Sequence, residues 1–173
     1  MSKRARKPRQ AIERYYDALQ KSLSTVSDAI WRIAEYRGDQ LNLFPSRAPL
    51  PLATSDGRRL YLAAGQRFHT YWDGLEYRVR TDGYLYTLSD SEALETEIIG
   101  WHWHPETAMR PHIHTAGLVG HVPTGRVSFE AIVRYLIEEC GVVPARDDWA
   151  AVLDEVEKRH VVYRSWHAHP ESG

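Results

Sequence analysis

The chain has a single cysteine, Cys140, so no disulfide can close within it and a four-cysteine zinc site is excluded. A reducing compartment, the cytoplasm, is the expectation that follows. No apolar run approaches the ~18 residues that cross a bilayer, and the basic start carries no apolar signal-peptide segment, so no membrane partner is expected. Neither sign of charge prevails. With a formal net charge of -1 there is no whole-molecule field to draw in nucleic acid. Phenylalanine is scarce, at 3 residues against 10 Tyr and 6 Trp, and the two abundant rings carry polar handles suited to half-wet faces. HExxH spacing, Walker-type loops and GxSxG elbows are missing.

What is present is histidine in one place. Residues 98–121, IIGWHWHPETAMRPHIHTAGLVGH, hold five of the 9 histidines. Side chains of a strand alternate between its faces, so His102 and His104 share one face and Trp101 and Trp103 the other. His112 and His114 repeat the pattern around Ile113. Pro105 and Pro111 bound a loop between the two pairs, which predicts an antiparallel hairpin with four imidazoles on one face. Directly opposed residues would stand about 5 Å apart. His121 and Arg126 follow closely.

Such a face has three readings. It could hold a metal through imidazole ligands. It could be a metal-free acid/base site, with Arg126 stabilising developing phosphate charge. Or it could be a polar sheet face backed by Trp101, Trp103 and Ile113.

Along the chain, residues 1–9 read as a basic disordered arm (Lys3, Arg4, Arg6, Lys7, Arg9) able to touch RNA or DNA phosphates. Residues 10–38 read as a long amphipathic helix, because Ile12, Tyr16, Leu19, Leu23, Val26, Ile30 and Ile33 follow a heptad spacing and Gly38 supplies a stop. That seam over 12–33 either packs on the chain's own sheet or pairs with a partner, a second copy or a cognate protein. Pro45, Pro49, Pro51 and Gly57 mark 39–57 as a connector. Residues 58–165 then form an α+β domain, and 166–173 a His-containing tail. In it, segments 58–64, 66–72, 75–80 and 84–89 read as short strands divided by Gly65, Asp73-Gly74 and Asp82-Gly83. In LEYRVR, Glu76, Arg78 and Arg80 should face solvent, and Leu75, Tyr77 and Val79 the core. Ser128 caps a helix with an apolar stripe closed by Gly141, and Asp147 or Asp148 caps the last one. The fold class expected is therefore α+β: a long N-terminal helix, an antiparallel meander of about five or six strands, and two C-terminal helices packed on the sheet. WHAHPE at 166–171, with His167 and His169, echoes WHWHPE at 101–106.

PHIHTA falls short of the histidine-triad pattern, since Ala116 stands where the third histidine belongs, and HIHT places Thr115 one position early for a two-histidine phosphoesterase. HVPTGR at 121–126 could cradle a small anion or simply connect strand to helix. The ordered set YRVRTDGYLY, GWHWHPE, RPHIH and HVPTGRVSFEAIVRYLIEE resembles the TumE-like proteins of toxin–antitoxin modules over about residues 75–140. The resemblance implies a small cytoplasmic toxin with ribonuclease activity and a cognate helix-turn-helix antitoxin as partner; it implies no catalytic residue set.

The residues themselves support a metal-independent ribonuclease in which His112 and His114 form the acid/base pair, His102 and His104 position or relay protons, and Arg126 clamps phosphate. Arg78, Arg80 and His121 would contact RNA. No cofactor is needed for that chemistry. The alternatives are a hydrolase that binds Zn or another divalent transition metal through His102, His104, His112 and His114 with Glu106 or Glu97, and a non-enzymatic assembly module built on the heptad helix.

Overall fold

The computed structural model describes residues 4–37, 40–107, 110–117 and 120–163. The 166–171 echo, with His167 and His169, lies outside them. Among the described residues the architecture is α+β, with three helices on one eight-stranded antiparallel sheet. Helix α1 spans Pro8–Leu23. Strands β1 (Trp31–Arg37), β2 (Gln40–Pro45), β3 (Leu50–Ala53), β4 (Arg59–Trp72), β5 (Tyr77–Ser89) and β6 (Glu97–Trp103) follow, then a 3-10 turn at Pro105–Thr107, β7 (His112–Thr115) and β8 (Val122–Pro123). Helices α2 (Phe129–Glu138) and α3 (Trp149–Tyr163) complete the chain. The sheet order is β1-β2-β4-β5-β6-β7-β8, with β3 pairing on β4 alone.

Several expectations are corrected. The N-terminal helix is long, at 16 residues, but ends at Leu23 and not near Arg37. The hydroxyls of Ser24 and Thr25 donate to the carbonyls of Lys21 and Ser22 at 2.7 Å, closing the last turn on itself. The heptad spacing persists past this point by coincidence: Ile30 and Ile33 are 45% and 52% exposed, and Trp31–Arg37, rich in β-branched and aromatic residues, is a strand. The continuous helical seam over 12–33 does not exist. Second, residues 39–57 are no connector but contain β2 and β3. Pro51 is accommodated because β3 is paired on one side only.

Third, two breaks are not breaks. Strand β4 runs straight through Gly65, where the Phe44 ring lies over the missing side chain. Strand β5 runs through Asp82-Gly83. There Arg67 pairs with Gly83 and Phe68 with Thr81, leaving Asp82 as the extra residue of a bulge. Only Asp73-Gly74 makes the tight turn, with Gly74 at φ 96 and the Asp73 carboxylate accepting the Leu75 and Glu76 amides at 2.8 Å. Fourth, that turn inverts the ends of LEYRVR: Leu75 is 60% exposed and Glu76 8%. Glu76 is buried against the basic arm. Ala5, fully buried, donates its amide to Glu76 Oε2 at 3.0 Å and accepts from the Tyr77 amide at 2.9 Å, so residues 4–7 are docked on the sheet and not disordered.

The core lies between the helices and one sheet face. Trp31 is its keystone at the α1–β1 junction, with its indole N–H on the Leu19 carbonyl at 3.1 Å and its ring edge-on to Phe129 at 5.0 Å. Tyr84, Tyr86, Leu88, Trp101 and Trp103 fill the same layer. The alternate positions of β4, β5, β6 and β7 form the face turned away from the helices.

Candidate metal centre

The register of the hairpin decides what its histidines do together. His102 stands opposite His112, and Gly100 opposite His114. The rings converge: centroids of His102 and His114 are 4.7 Å apart, His112 and His114 4.8 Å, His102 and His112 5.9 Å, and His102 and His104 5.7 Å. His121, expected to touch substrate, joins the same cluster at 4.5 Å from His112 and 4.4 Å from His114. One nitrogen from each of His102, His112 and His114 lies within 4.8 Å of the others.

Neighbouring groups orient all three rings. His112 Nδ1 meets the Arg110 carbonyl at 2.9 Å, and because a carbonyl only accepts, Nδ1 carries the proton and Nε2 the lone pair. His102 Nε2 meets the Thr87 hydroxyl at 3.1 Å. His114 Nδ1 faces Glu97 Oε1 at 3.8 Å, while its Nε2 is buried with no hydrogen-bond partner. A buried nitrogen without a partner is costly unless something completes it. Outer contacts of this kind orient imidazole ligands in metal sites.

Two small residues make the convergence possible. A side-chain carbon at Gly100 would stand 2.6 Å from Glu97 Oε2 and 2.9 Å from His102 Nε2, so this glycine lets the carboxylate and the imidazole fold across the strand. Thr87, on the neighbouring strand, bridges them, its hydroxyl 3.3 Å from Glu97 Oε2. A Gly100→Ala variant should keep its fold, with stability within about 1 kcal/mol, since Ala is no worse than Gly in a strand. It should bind Zn²⁺ at least ~10-fold more weakly, the size expected when ligand-orienting contacts are lost. Chelator competition checks this, and unchanged affinity would refute the role given to the glycine.

Electrostatics disfavour the charged form of two of these rings, His102 and His114. Burial, and then the neighbouring His114, His104, His112 and His121, hold the His102 pKa down at about 4. His114 is lowered by burial against the opposing pull of Glu97. Near neutral pH these rings offer lone pairs and not charge.

Other expected site residues stand elsewhere. Glu106 is held by Arg67 through a fork, Nη2–Oε2 2.6 Å and Nη1–Oε1 3.3 Å, so the carboxylate at the imidazoles is Glu97. Arg126 lies with its guanidinium carbon 3.9 Å from the Trp103 ring centroid, and Trp103 points to the face opposite His102. Arg78 pairs with Asp73 and Glu76, and Arg80 with Asp82, in the far part of the β4–β5 hairpin. Arg67, Thr87 and Gly100 were not singled out from sequence; the mid-strand glycine in EIIGWHW was the one available signal. Comparison with protein-family models, curated proteins and solved structures finds no match to this chain. Among the described residues no helix is long and apolar enough to cross a membrane.

Proposed function

We propose that this protein is a metal-dependent hydrolase whose centre is His102, His112 and His114, with Zn²⁺ or a similar divalent transition ion in a site that keeps one position open. The observation that carries it is three ligand nitrogens, one from each ring, within 4.8 Å of one another, with the Glu97 carboxylate beside two of the rings. Three protein ligands with an open fourth position is the pattern of catalytic zinc, and such an ion makes bound water a nucleophile near neutral pH. With such an ion held by His102, His112 and His114, Glu97, beside His102 and His114 at 3.7 and 3.8 Å, would be placed to take a proton from the attacking water and return it to the leaving group as the bond to that group breaks.

The metal-free ribonuclease is less well supported by this arrangement, because its phosphate clamp, Arg126, stacks on Trp103 and does not stand among the imidazoles. Phosphodiesters, RNA first in view of the resemblance to TumE-like toxins, are the substrates to try. The test is Co²⁺ titration of the chelator-treated full chain. One equivalent should give the visible bands of four-coordinate Co²⁺ and restore hydrolysis. No specific binding would overturn the metal reading, and RNA cleavage that persists in chelator would favour the metal-free one.

A further inference from the structure

One row of the sheet face turned away from the helices runs from an exposed aromatic ring to the imidazoles. In the ladder Gly65 stands opposite Leu85, Leu85 opposite His102, and His102 opposite His112. Opposed residues project to the same face, so Leu85 shares the face of the histidines, while its neighbours Tyr84 and Tyr86 point into the core. Gly65 has no side chain to contribute, and the ring of Phe44, from β2, fills its place. A side-chain carbon at Gly65 would stand 2.7 Å from Phe44 Cε1. Phe44 nevertheless stays 43% exposed, and Leu85 39%. Polar groups flank this strip on the same face: Arg67 lies two residues beyond Gly65 on β4, and Thr87 two residues beyond Leu85 on β5.

Neighbouring strands lie about 4.8 Å apart, so the Gly65 backbone under the Phe44 ring is about 10 Å from that of His102. Apolar side chains left exposed beside a cluster of metal-binding groups are what a substrate subsite consists of. Along the row the order is aromatic ring, aliphatic side chain, metal ligands, which matches base, sugar, phosphate in a nucleotide. We propose that Phe44 and Leu85 form the substrate subsite of this centre: the base of a nucleotide stacks on Phe44, its sugar lies over Leu85 and its phosphate reaches the ion. The inference rests on the metal reading of the histidine site and adds what the substrate must carry. An aliphatic chain would gain only buried area from the Phe44 ring, whereas a base gains the stack as well.

The experiment is calorimetric titration of the Zn²⁺-loaded full chain with adenosine 5′-monophosphate and with ribose 5-phosphate, which lacks the base. The nucleotide is expected to bind about tenfold more tightly, the size of a base–aromatic stack. Phe44→Leu keeps Gly65 covered by an apolar side chain but removes the ring, and should bring the nucleotide down to the affinity of the sugar phosphate. Phe44→Trp should keep the preference. Leu85→Ala should weaken both probes alike, since both carry the sugar. All three variants should retain wild-type circular dichroism and Zn²⁺ affinity. Binding of neither probe, equal affinity of the two for the wild type, or a base preference that survives in Phe44→Leu would overturn the subsite. Zn²⁺ affinity is measured first, without nucleotide, so the two failures are distinguishable. A chain that takes up Zn²⁺ but shows no base preference keeps the metal centre and loses the subsite; one that takes up no Zn²⁺ loses the metal reading and the subsite with it.

Discussion

His114→Ala is expected to lower Zn²⁺ affinity by roughly 100-fold while leaving the metal-free fold intact. Structural zinc sites bind with about 10–16 kcal/mol shared over four ligands, so one ligand is worth about 3 kcal/mol, or roughly 100-fold. The fold should tolerate the change because the His114 ring is 30% exposed at its side chain and its Nε2 makes no hydrogen bond to lose. Thr87→Val, which removes the hydroxyl that holds His102 and Glu97 but not a ligand, should cost about 10-fold. The graded pair is informative. Chelator competition that gives equal, small losses for both would mean the imidazoles share a polar face without sharing an ion.

Trp31→Ala is the substitution expected to harm stability most, by about 4 kcal/mol. The indole is 1% exposed, sits edge-on to Phe129 and donates to the Leu19 carbonyl, so the change opens a large cavity and removes a buried hydrogen bond. It also loosens the point where α1 hands over to β1, under α2. Urea unfolding should show a lower midpoint with little change in slope. A loss below ~1 kcal/mol would mean the α1–β1 junction is not the keystone described above.

The clearest success of reading by period was the hairpin. Alternation alone placed His102, His104, His112 and His114 on one face and Trp101 and Trp103 on the other, and both hold. The α2 stripe with its Ser128 cap, and the Asp73-Gly74 turn, were likewise visible, because each depends on residues adjacent in sequence. The N-terminal half misled for an equally local reason. Heptad spacing from Ile12 to Ile33 is compatible with a helix, and only the competition of Ser24 and Thr25 for helical carbonyls, with the demand of β2 for a neighbour, turns its second half into an edge strand.

By itself, then, the sequence determined the fold class, the alternation of the histidine strands and the exclusion of an intrachain disulfide, since composition and period act over a few residues. Tertiary structure decided the rest. Which carboxylate joins the imidazoles turned on Gly100 leaving room for Glu97 and on Arg67 claiming Glu106. Where Arg126 lies turned on Trp103 and Val127 holding it beside Tyr84. Those outcomes depend on the register of one strand against the next, and a one-residue slip would move every side chain concerned to the other face.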